Sequence, residues 1–285
     1  MLLRACILAL TLPLLLAGCS GETASEDAQY ADKMAEEHKD DTPDPGPATE
    51  GEPAASIDTS TVTYATVDGT DVQGYLARPQ GAPADAPAMI VIHEWWGLND
   101  NIRAMADKLA GEGYVALAVD LYSGVVAEDR ETARETMMSA MENSALLEEN
   151  LRQAHAYLEQ QGSSQVGSIG WCFGGGWSLN TALLLPEQLD AAVIYYGRLV
   201  TEKEELAALE APVLGIFGDL DQGIPLEMVE AFKTSLEELG KDAQIHIYEG
   251  ADHAFANPSG TRYKADAAED AWAKTLAFLD AHLRG

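Results

Sequence analysis

The run Gly170-Trp171-Cys172-Phe173-Gly174-Gly175 sets a thiol among small residues. It follows a β-rich stretch, Gln165–Trp171, and opens a helical one, Gly174–Leu185. A nucleophile on a sharp strand-to-helix turn needs this pattern. Glycines at 170 and 174 let the backbone turn without side-chain clash, and the helix N-terminus favours negative charge on sulfur and on a reaction oxyanion. A buried Cys in a Gly-rich turn is also an ordinary structural feature, so its partners decide the matter. The loop Phe217-Gly218-Asp219-Leu220-Asp221-Gln222-Gly223-Ile224-Pro225 supplies an acid after a later strand. Gly250-Ala251-Asp252-His253-Ala254-Phe255 supplies a histidine after the last strand. An imidazole beside a thiol takes its proton or holds a thiolate–imidazolium pair, and a carboxylate orients the ring. Asp221 is the expected acid; Asp219, in the same loop, is the alternative.

A third strand end carries Ile92-His93-Glu94-Trp95-Trp96-Gly97. The His-Glu pair invites a zinc-hydrolase reading, but that motif needs a second His four residues after the first. Gly97 stands there, so no metal site is read here and no cofactor is expected. A strand end at this place supplies one oxyanion donor, and the backbone N–H groups of Trp95 and Phe173 are assigned that role.

These loops need a scaffold that brings several strand ends to one edge. Thr61–Val67 and Val72–Arg78, joined through Asp68-Gly69, predict an antiparallel hairpin. Strands are predicted at Ala88–His93, Tyr114–Leu121, Gln165–Trp171, Ala191–Tyr196, Pro212–Gly218 and Gln244–Tyr248. Between them lie helical patterns at Asn99–Gly111, Arg130–Gln161 (broken near Asn143), Gly174–Leu185, Pro225–Leu239 and Tyr263–Leu283. Strand–helix alternation predicts an α/β fold with a mostly parallel sheet covered by helices.

The N-terminus reads differently. Arg4 precedes an apolar stretch, Ala5 to Leu16, too short to span a bilayer comfortably. It ends in Leu16-Ala17-Gly18-Cys19, which resembles the lipobox of bacterial lipoproteins. That resemblance makes residues 1–18 a signal peptide and Cys19 the lipidated first residue of the mature chain. Ser20 then implies outer-membrane delivery, with the folded domain in the periplasm. Residues 19–57 are acidic, Pro-bearing and poor in large apolar residues, and are expected to be a disordered tether. A short helix near Glu26–His38 would have little to pack on. The folded domain is expected over residues 58–285, where Cys172 is the only cysteine and no internal disulfide can form. The formal net charge of −30 argues against nucleic acid, whose phosphates need basic partners. The sequence specifies no oligomer, and a monomer is the simplest expectation.

Taken together, His93-Glu94-x-x-Gly97, Asp120-Leu121-Tyr122, Gly170-x-Cys172-x-Gly174-Gly175, Tyr195-Tyr196-Gly197, Gly218-x-x-Asp221-x-x-x-Pro225 and His253-x-Phe255 resemble the dienelactone hydrolase family across roughly residues 60–283. The resemblance implies an α/β-hydrolase fold, whose triads run nucleophile, acid, His along the chain. It implies ester or lactone hydrolysis through a cysteinyl acyl-enzyme on Cys172, Asp221 and His253, without a cofactor. It also implies that Glu94 contacts the thiol and helps deprotonate it when substrate binds. The founding enzymes hold a substrate carboxylate with two arginines; Gly124 and Asn257 stand at those positions here. Arg198 offers a different anion contact. Tyr195 and Trp96 are further candidate substrate contacts, with Trp95, Phe173 and Trp177 beside them. Thioesterase or broad carboxylesterase activity would use the same residues. A non-catalytic binding lipoprotein of this fold is a third reading, against which the complete Cys, Asp, His set argues.

Overall fold

The structure, a computed structural model, describes residues 25–43 and 53–285. The signal segment, the Cys19 box and part of the acidic segment lie outside the described residues. The main body is an eight-stranded sheet in the order β1-β2-β4-β3-β5-β6-β7-β8. β1 (Ile57–Val67) and β2 (Thr70–Pro79) form the expected antiparallel hairpin, with Asp68 and Gly69 at positive φ in the turn. This matches the turn type that suits the twist of a two-residue hairpin. β2 pairs antiparallel with β4 (Val115–Val119), and all later pairings are parallel.

β3 (Ala88–Ile92), β4, β5 (Val166–Trp171), β6 (Ala191–Tyr195) and β7 (Val213–Gly218) are buried along their whole length. Continuous apolar runs suit strands covered on both faces, whereas β8 (Ala243–Tyr248) at the sheet edge is only partly buried. The helices α2 (Asp100–Gly111) and α8 (Ala265–Leu283) both lie against the sheet and meet where Lys108 Nζ sits 4.0 Å above the Trp272 ring. α4 (Ser144–Gln160) and α5 (Phe173–Leu184) form another neighbouring pair against the sheet. The break expected near Asn143 separates α3 (Arg130–Glu142) from α4. α7 is Leu226–Glu238, and the four-residue α6 (Lys203–Leu206) was too short to leave a periodic signal in the sequence.

The acidic N-terminal segment departs from expectation. Residues 26–37 form a helix, α1, capped by Ser25, whose hydroxyl accepts from Ala28 N–H at 3.2 Å. The helix does find something to pack on. Tyr30, Ala31, Met34 and His38 are buried against the body. Tyr30, Met34 and His38 recur every four residues and so share one face. The opposite charges of the body hold the polar flanks: Asp27 pairs with Arg198 at 2.6 Å, Asp32 with Arg134 at 2.6 Å, and Arg262 with Glu37 at 3.0 Å and Asp41 at 2.8 Å. Among the described residues no helix is long and apolar enough to cross a membrane.

Candidate active site

The parallel strands β3, β5, β6, β7 and β8 all point their C-terminal ends to one edge of the sheet, where the loops named from sequence meet. Cys172 sits between β5 and α5 at φ 55°, ψ −117°. A non-glycine residue there carries strain of order 1–3 kcal/mol and persists only where its surroundings enforce it. The enforcement is visible. Cys172 N–H donates to the Tyr195 carbonyl at 3.0 Å. A Cβ at Gly170 would strike the Gly174 carbonyl, and one at Gly174 would strike the carbonyls of Ile92 and His93. Only glycine lets β3, the elbow and α5 approach so closely.

His253 Nδ1 lies 2.8 Å from Asp221 Oδ2, both side chains fully buried. Asp221 Oδ1 accepts from Ile224 N–H at 2.8 Å, which fixes the carboxylate. Asp219 is not at the histidine: its carboxylate accepts from Gly250 N–H at 2.6 Å and ties together the loops after β7 and β8. The two acids of one loop therefore have different tasks. His253 Nε2 is buried without a hydrogen-bond partner, on a ring that lies within reach of the Cys172 thiol. Burial opposes charge on His253, yet Asp221 and the Cys172 thiolate raise its pKa well above the ordinary imidazole value. Burial likewise works against the Cys172 thiolate, but the charge of His253 first, and then the hydrogen bond and charge of His38, bring its pKa below the ordinary thiol value. The two shifts favour a thiolate–imidazolium pair.

His93 is buried and structural. Its Nδ1 lies 2.6 Å from the Glu94 carbonyl, and its Nε2 accepts from Leu121 N–H at 3.1 Å, joining the ends of β3 and β4. Glu94 is buried near Cys172, and Asn257 Nδ2 donates to its Oε2 at 2.8 Å while Oε1 has no partner. Burial first, then the charge of Cys172, raises the Glu94 carboxyl to about 7. Asn257, considered from sequence only as a missing arginine, thus holds Glu94. Gly124 stands in a loop pinned by Asp120, which accepts from the N–H groups of Tyr122 and Gly124. The N–H groups of Trp95 and Phe173 donate to no main-chain acceptor among the described residues.

The Glu94 shift has a consequence for stability. The unfolded carboxyl titrates near 4.5 and the folded one near 7, so between those values the folded state holds the extra proton. Stability therefore falls as pH rises through that window, by at most about 1.4 kcal/mol per pH unit. Denaturant unfolding at pH 5 and pH 8 should show this loss in the wild type and a smaller one in Glu94→Gln. Equal losses would mean that Glu94 does not titrate in this window.

Two of the expected substrate contacts are placed otherwise. Tyr195 ends β6 and turns its hydroxyl to Thr275 of α8, 2.7 Å away, so it packs in the core. Tyr196, which sequence reasoning passed over, takes the place at the site: its ring lies 5.2 Å from His253 and its buried hydroxyl has no partner. Its φ of 37° marks the end of the extended backbone of β6. Arg198 Nη1 is 2.6 Å from Asp27, and its guanidinium sits 5.3 Å from the Tyr30 ring centroid, so it grips α1. Trp96 is buried edge-on to Trp95 at 4.8 Å.

The N-terminal segment covers the thiol. Met34 Sδ is 3.7 Å and His38 Nε2 3.8 Å from Cys172 Sγ. His38 stacks on Trp95 at 4.7 Å and meets His253 edge-on at 5.3 Å. Met34 also fills the space where a Cβ on Gly223 would stand. Cys172 has no exposed surface. A cavity of about 750 Å³ beside the site is lined by Tyr30, Phe173, Trp177, Asn180, Arg198 and other residues.

An eight-stranded, mostly parallel sheet with flanking helices and a strained residue at the β5–α5 elbow defines an α/β-hydrolase. Residues 72–283 match the model of the dienelactone hydrolase family. The chain belongs to that family, and it is a hydrolase. It is 32% identical over 253 residues to a Saccharolobus solfataricus protein named as an unproven carboxymethylenebutenolidase, covering 74% of this chain and 95% of that one. It is 32% identical over 224 residues to protein usf of Aquifex pyrophilus, covering 76% and 96%. The crystal structure of an unproven dienelactone hydrolase from Klebsiella pneumoniae superposes with a TM-score of 0.72 at 31% identity, covering 78% of this chain and 98% of the other.

Proposed function

We propose that this hydrolase cleaves neutral carboxylic esters and lactones through a Cys172 acyl-enzyme. The observation that carries the reading is the 2.8 Å contact of His253 Nδ1 with Asp221, which leaves the other ring nitrogen for the thiol at the elbow. The thiolate attacks the carbonyl carbon, and the N–H groups of Trp95 and Phe173 receive the oxyanion. His253 passes its proton to the departing alkoxide, then takes one from the water that hydrolyses the thioester. Where Cys172 is still a thiol, the ionised fraction of Glu94 takes its proton as substrate enters and the thiolate forms. In the covered state substrate has no path to Cys172, so turnover requires the 25–43 segment to lift.

Preference for a neutral acyl group follows from the site. Asn257 is committed to Glu94 and Gly124 offers no side chain, so neither position of the founding arginines carries a cation; Arg198 parts from Asp27 when the segment lifts and is the cation the test must remove. Bonds to charged groups contribute about 1.5–3 kcal/mol, so a site without arginines at positions 124 and 257 forgoes the corresponding preference for a carboxylate-bearing lactone. The test is kcat/KM on matched neutral and carboxylate-bearing esters and lactones, with thioesters alongside. Neutral esters should be cleaved at least as efficiently as dienelactone. A strong carboxylate preference that survives Arg198→Ala contradicts the reading.

The envelope location belongs to the same proposal. Cys19 carries the lipid, and the domain faces the periplasm. Metabolic labelling with a fatty acid should tag the wild type and leave Cys19→Ala untagged; an untagged wild type refutes the anchor.

A further inference from the structure

The residues that cover the thiol form a donor set of their own. His38, Cys172 and His253 are buried and bring one donor atom each within 4.8 Å of one another. Each imidazole has Nδ1 on a carboxylate, His38 on Asp41 at 2.9 Å and His253 on Asp221 at 2.8 Å. That is the outer-shell arrangement that fixes the tautomer of a metal-binding histidine and raises the basicity of its other nitrogen. The second nitrogen of His253 is buried and unpartnered, and that of His38 is 3.8 Å from Cys172 Sγ. Around a tetrahedral ion with bonds of about 2.3 Å to sulfur and 2.0–2.1 Å to nitrogen, sulfur and nitrogen stand about 3.6 Å apart. The His38–Cys172 spacing of 3.8 Å is close to that, and the other donor pairs lie within 4.8 Å. Met34 Sδ, 3.7 Å from Sγ, adds a thioether. Thiolate and thioether are soft donors and imidazole is borderline, a set suited to Zn²⁺ or copper and poor for Mg²⁺ or Ca²⁺. The Arg262 guanidinium near His38 is already paired with Glu37 and Asp41.

We propose that the N-terminal segment completes a site for a thiophilic closed-shell metal ion, Zn²⁺ or Cu⁺, on Cys172 Sγ, His38 Nε2 and His253 Nε2, and that the bound ion locks the segment over the thiol. Binding forms metal–sulfur and metal–nitrogen bonds and releases to solvent the proton shared by Cys172 and His253 together with any proton on His38 Nε2; no electrons move. The sulfur lone pair and His253 Nε2 are then occupied, and hydrolysis stops.

The full chain, prepared metal-free and reduced, is titrated with Zn²⁺ and separately with Cu⁺ against chromophoric chelators, with Co²⁺ as a spectroscopic probe. One ion per chain is expected, with a thiolate-to-cobalt absorption band and protection of Cys172 from alkylation. His38→Phe keeps a ring against Trp95 but removes the donor. It should weaken the metal by more than the roughly 10–100-fold that loss of an outer-shell partner causes, and Asp41→Asn should fall within that range. A Zn²⁺ or a Cu⁺ result of this kind supports the site and says which ion it prefers. Absence of stoichiometric binding by both ions, or binding unchanged in His38→Phe, overturns it. The readout is metal occupancy, so it stands or falls independently of whether Cys172 is the nucleophile.

Discussion

Cys172→Ala will lose at least about 10³-fold in kcat/KM on an activated ester while keeping the wild-type fold. Removal of an acting nucleophile leaves only the oxyanion donors and substrate binding, and such residues behave as a unit whose loss is worth orders of magnitude. The structural cost is small by comparison. Cys172 is fully buried, so alanine leaves a space the size of one sulfur atom beside Met34 and His38. Large-to-small core changes of that size cost about 1–2 kcal/mol, and α5 keeps its glycine-packed seat on β5 and β6. Circular dichroism and thermal melting should show a folded protein, and the ester assay a nearly silent one. Turnover within tenfold of wild type would remove Cys172 from the mechanism.

Loosening the N-terminal segment will accelerate alkylation of Cys172 by iodoacetamide at least tenfold. The variant to use is Met34→Asp combined with Arg262→Ala. Met34 is fully buried against Cys172 and Gly223, and a carboxylate placed there must be desolvated beside a thiolate. That penalty is several kcal/mol, and each 1.4 kcal/mol shifts the balance between covered and lifted states tenfold. Arg262 clamps Glu37 and Asp41, so its loss frees the end of the segment. Tyr30, Ala31 and Met34 pack on the same core as the strands, so circular dichroism and a cooperative melt above the assay temperature must accompany the faster alkylation. An unaltered alkylation rate would mean that the segment does not limit access to the thiol.

The elements that position the site were legible because each carries a local signature. Strands buried on both faces read as continuous apolar runs, and the elbow glycines are there because the backbones of β3 and α5 leave no room for a Cβ. The choice between Asp219 and Asp221 was not legible, since both lie in one loop. It is decided by which carboxylate meets Gly250 N–H and which meets His253. Tyr196 was not legible as the site tyrosine in place of Tyr195, since it follows the end of β6 at a positive φ that no strand pattern marks. The segment over the site was least visible. Its composition is that of a solvated chain, and its packing rests on three residues spaced by four. The arginines that hold it, Arg134, Arg198 and Arg262, come from distant parts of the sequence. Local composition therefore suggested a tether where long-range ion pairing builds a cover.

The central claim is that an acyl group passes through Cys172. Rapid quenching of the wild type during turnover of a p-nitrophenyl ester, followed by intact-mass and peptide-level mass spectrometry, addresses it directly. The account predicts a mass increase equal to one acyl group, localised to the peptide containing Cys172, accumulating further in His253→Ala if acylation survives there, and absent from Cys172→Ala. Turnover at the wild-type rate with no acylated Cys172, or with the acyl group on another residue, would contradict it.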